Sequence, residues 1–450
     1  MTSYLRKFVS GILLFAAVSI PAAAQQERAD EMRQNLPLSY EALPLFSTDT
    51  TAAVVRLNYR INQRFFVFVR DPGNPNGFIA TGELMVELRN KQDIAVAREI
   101  RPIRLLRDEQ PLEKEQLTDI QGAFAFQVPE DEYTVIFSLD DKESGRKFLD
   151  RDKKVTTLKP EPEKLQLSYP MFAVLEQLGD DESIVQVVAA NRGTNISFGP
   201  TYGLVYQVYL PENLAVRVRW KIQRQQGFLS DWFRSFTGEQ YTLLTGTLLP
   251  SNPQSTATYT VRSANNPSWK ILYVPLPTEK LDPGGYRLEI EITSGDVSSS
   301  KQYPFQVLWL NRPATLLNSQ ISIDALRHIV PEEAVDEMLT GSLETNIKRF
   351  YEFWKTKDPD TTTAYNEIMV EYYRRVDETN QRFSTLGGMD GYKTDRGRIF
   401  ILYGSPTRTE KLIRPGEAPT EIWAYDRLKR RFVFSDKYKN GNFVLIATEN

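Results

Sequence analysis

The sequence predicts a multidomain chain: two tandem all-β sandwiches of immunoglobulin-like or fibronectin-like type, followed by an α+β domain with helices first and a small antiparallel sheet after them. Three observations carry this. Short runs of period-2 alternation fill residues 51–160 and 164–312. A proline-rich break, Lys159-Pro160-Glu161-Pro162-Glu163, divides them. From residue 316 onward the apolar spacing changes to that of helices.

The first β segment opens on Val54–Ile61, where Val55, Leu57, Tyr59 and Ile61 face one way and Val54, Arg56, Asn58 and Arg60 the other. Phe65–Val69, Gly82–Leu88, Ile94–Ile103, Phe124–Val128 and Tyr133–Leu139 continue the pattern as half-buried strands. Asp71–Gly77 consists of turn formers and reads as a hairpin turn; it lacks the alternating acidic order of a calcium loop. The second segment offers strands at Leu204–Tyr209, Ala215–Lys221, Tyr241–Leu249, Thr256–Val261 and Ile271–Val274. Both segments place a tyrosine, Tyr133 and Tyr286, directly after a turn and ahead of alternating apolar residues. Such a tyrosine can send its hydroxyl back to the preceding loop, as at the corner of immunoglobulin-like sandwiches.

In the last third, Ile323, Leu326 and Val330 suit a short helix that Pro331 ends or restarts. Ser342 can cap a helix bearing Ile347, Phe350, Tyr351 and Trp354 on one face, stopped by Asp358-Pro359. A longer helix over residues 364–384 carries Tyr365, Ile368, Met369, Tyr372, Val376 and Phe383 as its apolar stripe. Short strands follow at Arg398–Tyr403, Glu421–Tyr425, Arg431–Ser435 and Phe443–Ala447.

The N-terminus reads as a secretory signal peptide over residues 1–24. Arg6 and Lys7 precede a short apolar run, and Ala22-Ala23-Ala24 supplies a cleavage site. Residues 25–50 read as a polar N-terminal arm. The expected location is therefore the periplasm or the cell exterior, with no transmembrane segment after cleavage. The chain contains no cysteine, which excludes a lipoprotein anchor, disulfides, thiolate metal sites and cysteine nucleophiles. The formal charge of −3 becomes more negative by two once Arg6 and Lys7 are removed, which argues against nucleic acid as a partner.

The segment joining the last helices to the last strands is Gly391-Tyr392-Lys393-Thr394-Asp395-Arg396-Gly397-Arg398. Phe353-Trp354, Asp358-Pro359, Tyr372–Val376, Asn380, Arg382-Phe383, Glu421–Tyr425 and Arg431–Phe434 accompany it in order. Over residues 316–450 this resembles the GWxTD domain family of bacterial exported proteins, with Tyr392 at the motif's tryptophan. The resemblance implies a domain fold and β-sandwich regions ahead of it, and it implies no reaction.

Few residues offer chemistry. His328 is the only histidine and lies among apolar neighbours, so packing is its expected role. No zinc motif or Gly-rich phosphate loop occurs, and no cofactor or metal is expected. The candidate binding residues are Tyr392, Thr394, Asp395, Arg396, Arg398, Trp423 and Tyr425. Their arginines can fork onto an anionic or glycan-like group, and their rings can form a floor. The alternative is a structural turn in which Asp395 pairs with an arginine and Tyr392 packs on the helices. Phe228, Trp232, Phe233 and Phe236 form an aromatic loop suited to a partner or to folding back as a small core. Two functions follow. The first is a non-enzymatic interaction or assembly module of the cell envelope, with a protein or glycan partner. The second is an acid-based glycan hydrolase using acids such as Glu367, Glu371 and Asp395, or a carbohydrate-binding module.

Overall fold

The computed structural model describes residues 36–46, 53–109, 119–161, 164–178, 184–210, 215–225, 235–250, 258–262, 268–385 and 387–449. The expected signal peptide, residues 1–24, lies outside them. The chain forms two compact units. One holds the described residues up to Ile196 with Tyr202–Leu276 and Gly284–Leu308; the other holds Ser197–Thr201, Pro277–Pro283 and the chain from Trp309 onward.

The first unit begins earlier than the sequence reading placed it. Leu38–Leu45 (β1), at the end of the expected arm, pairs antiparallel along the length of Ala53–Ile61 (β2), from Leu38↔Ile61 to Leu45↔Val54. Ile120–Val128 (β6) pairs on the other side of β2. A second sheet runs Val69–Asp71 (β3), Asn74–Arg89 (β4), Glu132–Asp141 (β7) and Lys147–Thr156 (β8), with Ala95–Arg107 (β5) also paired to β4. Two corrections arise here. Phe65 closes a 3-10 turn instead of opening a strand. The turn at Asp71–Gly77 shrinks to Pro72-Gly73, because Asp71 pairs with Asn74 and β4 starts there.

The period-2 rows supply the core between these sheets. Val55, Leu57 and Ile61 meet Leu84, Val86, Leu88, Val135, Phe137 and Leu139, all buried. Each such side chain contributes about 1.5–3 kcal/mol relative to an exposed one. Tyr133 behaves as a corner tyrosine: its hydroxyl donates to the Pro129 carbonyl at 2.8 Å.

The opposite face of β1–β2 is covered as well. Leu43, Leu45 and Val54 pack with Met171 and Ala173 of Met171–Leu178 (β9), Val187 and Ala189 of Ile184–Ala189 (β10), and Val205 of Gly203–Tyr209 (β11). The row Val54, Arg56, Asn58, Arg60 is therefore not a solvent face; Arg56 is 1% exposed. Its Nε donates to the Tyr259 hydroxyl at 2.9 Å, and that hydroxyl donates to Asn58 Oδ1 at 2.9 Å.

The rest of this unit forms two antiparallel sheets. Val216–Arg224 (β12), Ser235–Gly238 (β13), Thr242–Thr245 (β14), Thr247–Pro250 (β15), Thr258–Arg262 (β16), Trp269–Pro275 (β17), Gly284–Ser294 (β18) and Val297–Leu308 (β19) complete its longer strands. One sheet runs β14-β17-β11-β9-β10-β16-β15, and the other contains β19-β18-β12-β13. Tyr286 is buried on β18 against Phe305, with ring centroids 5.5 Å apart.

The second unit is α+β. Ser319–Asp324 (α1) leads through a 3-10 turn to Glu332–Met338 (α2), preceded by Pro331. Ser342 caps Leu343–Lys355 (α3) by accepting from Thr345 N–H at 3.2 Å. Asn366 caps Glu367–Phe383 (α4), and its amide also donates to the Trp354 carbonyl at 2.8 Å, tying the two helices. The α4 stripe is shifted from the sequence reading: Ile368 is 48% exposed, whereas Tyr373 is buried beside Met369, Tyr372 and Val376. Tyr372 and Tyr373 send their hydroxyls to the carbonyls of Ala325 and Ser322 at 2.5 and 2.7 Å.

Asp395–Tyr403, expected to form a strand from Arg398, is a helix (α5). Its Arg-Ile-Phe-Ile-Leu-Tyr run resembles a buried strand because the helix is covered on two sides. Ile401 joins the helical core, while Ile399 and Phe400 join the core under the sheet. The sheet is Arg408–Leu412 (β20), Thr420–Tyr425 (β21), Arg430–Ser435 (β22) and Val444–Glu449 (β23), paired in chain order.

Candidate functional site at the Gly391–Arg398 turn

The segment before α5 folds as a 3-10 turn, Gly391–Lys393, that runs directly into the helix. Thr394 is the N-cap. Its hydroxyl accepts from Gly397 N–H at 3.0 Å and donates to the Gly391 carbonyl at 2.7 Å, so one side chain closes both turns. The two glycines allow close approach. A Cβ on Gly391 would stand 1.8 Å from the Thr379 carbonyl oxygen on α4, and one on Gly397 would stand 2.0 Å from the Gly391 carbonyl oxygen.

Tyr392 is 3% exposed and inserts into the helical core. Its hydroxyl donates to Asp324 Oδ2 at 2.6 Å, and its N–H donates to Asn380 Oδ1 at 3.1 Å. Its carbonyl lies 2.9 Å from His328 Nε2, which therefore carries the donating proton. Burial, reinforced by the Asp324 acceptor, pushes the Tyr392 phenol well above its ordinary range. At Asp324, partial burial opposes ionisation, but the bonds from Tyr392 and Arg327 prevail and hold its carboxyl below the usual value. Burial lowers the His328 imidazole despite its carbonyl partner.

Asp395 binds across to the sheet: Oδ2 accepts from Leu445 N–H at 2.9 Å, and Oδ1 lies 3.4 Å from Arg398. Arg396 reaches Glu421 Oε2 and the Gly441 carbonyl, each at 3.0 Å, with Phe383 and Phe443 on its guanidinium. Burial lowers the Arg396 guanidinium, and Glu421 opposes that shift. Glu421 also accepts from Trp423 Nε1 at 3.0 Å. Trp423 is 1% exposed, and Tyr425 is buried with its hydroxyl on the Gly404 carbonyl at 2.8 Å.

Thus Arg396 is not presented at the mouth of a strand, and Tyr392, Trp423 and Tyr425 are not an exposed aromatic floor. Tyr392 belongs to the helical core, and the other two rings belong to the core under the sheet. Among the seven candidates only Asp395 and Arg398 retain substantial side-chain exposure, at 32% and 44%, and they pair with each other.

The acids do not converge either. Glu367 is exposed in the first turn of α4, about 18 Å of helix rise before Thr379, where the motif packs. Glu371 is engaged by Arg374 and Arg375. Of the aromatic loop, Phe228, Trp232 and Phe233 lie outside the described residues, and Phe236 is half-buried in β13 opposite Ile222. Asp324, Asn380, Ser384 and Glu421 also bond to the turn, and the sequence reading singled out none of them as site residues. Asp324 precedes Tyr392 by 68 residues, and no local pattern marks the pair.

The class defined by this fold and turn is an α+β domain of helices on a four-stranded antiparallel sheet, joined through a Gly-aromatic-x-Thr-Asp cap. Residues 295–449 match the family model of the GWxTD domain, and the C-terminal region is a GWxTD domain. No curated protein matches the chain. Among solved structures, a family 123 glycoside hydrolase from Clostridium perfringens is similar at 17% identity, with TM-score 0.16, over 33% of this chain and 31% of its own. Escherichia coli alpha-2-macroglobulin activated by porcine elastase is similar at 10% identity, with TM-score 0.16, over 59% of this chain and 23% of its own. The chain spans under a third of either structure's length, and likeness at this level bears on neither activity nor partner.

Proposed function

We propose that the protein is an exported, non-enzymatic interaction or assembly module of the cell envelope. Its two β regions, read as immunoglobulin-like or fibronectin-like, would act as spacers for the GWxTD domain. The observation supporting this is the internal use of the motif. Tyr392 and Thr394 direct their hydroxyls to Asp324 and the Gly391 carbonyl, and the Arg396 guanidinium is held by Glu421 and the Gly441 carbonyl. A turn so engaged is architectural, and contacts with a partner would fall on the surfaces that it holds in place.

The test is cross-linking of the full chain in its native envelope, read by mass spectrometry, alongside incubation of the purified chain with envelope glycans. A reproducible protein partner cross-linked through surface residues supports the reading. Release of new reducing ends by the wild-type chain would sink it.

A further inference from the structure

Glu41 lies on β1, on the face turned toward β9–β11, and is 5% exposed. It sits at a seam where the face of β1–β2 meets the second β region of the same compact unit. The Asn58 side chain and the Arg192 backbone N–H bond to it, yet its Oε2 accepts no hydrogen bond and no ion pair reaches it among the described residues. The cations around it are otherwise occupied. Lys153 on β8 donates to the Tyr40 carbonyl at 3.1 Å. Arg60 and Arg192 share Asp119 at 3.2 and 3.6 Å. Arg56 binds Tyr259 of β16, whose buried hydroxyl also senses Glu41. Burying a carboxylate without a paired cation is strongly unfavourable, and burying a carboxylic acid is far less so.

We infer that Glu41 carries a proton while the seam is closed, and that losing this proton opens the seam between β1–β2 and the second β region. Burial supports this by pushing the Glu41 carboxyl from 4.5 to about 8, against the smaller opposing pull of Lys153. The sign follows from linkage. The folded value exceeds the unfolded one, so the stabilisation is complete below about 4.5, falls as pH rises, and is lost above about 8. The closed seam is thus a device that alkaline surroundings loosen.

Hydrogen exchange of the full chain, corrected for intrinsic rates, tests this. Amides of β1, β2 and β16 should open about tenfold more per pH unit between pH 6 and 8 and then level off. Glu41→Gln, which keeps the shape without the titration, should remove that slope. An unchanged slope in Glu41→Gln overturns the inference. If that variant does not fold, infrared spectroscopy of wild type with ¹³C-labelled glutamate decides. A protonated carboxyl band at pH 7 that fades toward pH 9 supports it, and no such band at pH 7 overturns it.

Discussion

Gly391 and Thr379 touch backbone to backbone: a Cβ added to the glycine would stand 1.8 Å from the threonine carbonyl oxygen. The start of the motif is therefore pressed onto α4 with no room for a methyl group. Gly391→Ala should cost about 3 kcal/mol or more, because relief requires moving a helix backbone. Gly388→Ala, where a Cβ meets nothing but φ is +83°, should cost clearly less. Urea denaturation of both variants measures the difference.

The Tyr392 hydroxyl on Asp324 links the motif to the end of α1. Tyr392→Phe should lose about 1.5–3 kcal/mol, the usual range for a hydrogen bond to a charged group. A double-mutant cycle with Asp324→Asn should show coupling above about 0.5 kcal/mol. Additive losses would mean that the bond contributes nothing specific.

Arg396 and Glu421 form a nearly buried pair, with 13% and 8% of their side chains exposed. Arg396→Ala should destabilise by about 3–5 kcal/mol, since it leaves Glu421 buried without its cation. Removing both charges, as Arg396→Met with Glu421→Gln, should recover much of that loss. Thermal unfolding of the two variants beside the unsubstituted chain tests the order.

His328, the chain's only histidine, should titrate below the ordinary histidine value of 6.5 because burial disfavours its charged form. Any stability linked to its neutral ring is present above that value and falls as pH drops through the lower folded value. The C2-proton resonance in NMR gives the midpoint directly, and a midpoint above 6.5 would contradict the burial argument.

Much of the architecture was legible because it rests on local signals. Ser342, Pro331 and Asp358-Pro359 mark helix ends by their own chemistry, and the structure places α2 and α3 between them. Tyr133 followed from a turn and an alternating run, and its hydroxyl finds the preceding loop. Features set by tertiary contact were not legible. Arg56 and Asn58 read as a wet face because alternation cannot reveal a second sheet lying over them. Ile399–Ile401 read as a strand because a helix buried on two sides loses its 3.6-residue stripe. The site was half legible. Thr394 and Gly397 could be assigned to a turn, but the buried fates of Tyr392, Arg396 and Trp423 depend on Asp324, Phe443 and Glu421, all remote in sequence from at least one partner.

Ser197–Thr201 and Pro277–Pro283 belong to the second compact unit although the chain passes through them while building β strands of the first. Phe198 lies against Trp309 and Tyr365, and the Glu279 carbonyl accepts from Ala364 N–H at 2.7 Å. The C-terminal fold is thus not a contiguous cassette. A gene fusion or recombination event that carried only the last stretch of the chain would leave two of its supports behind, so the β region and the GWxTD domain are expected to be inherited together.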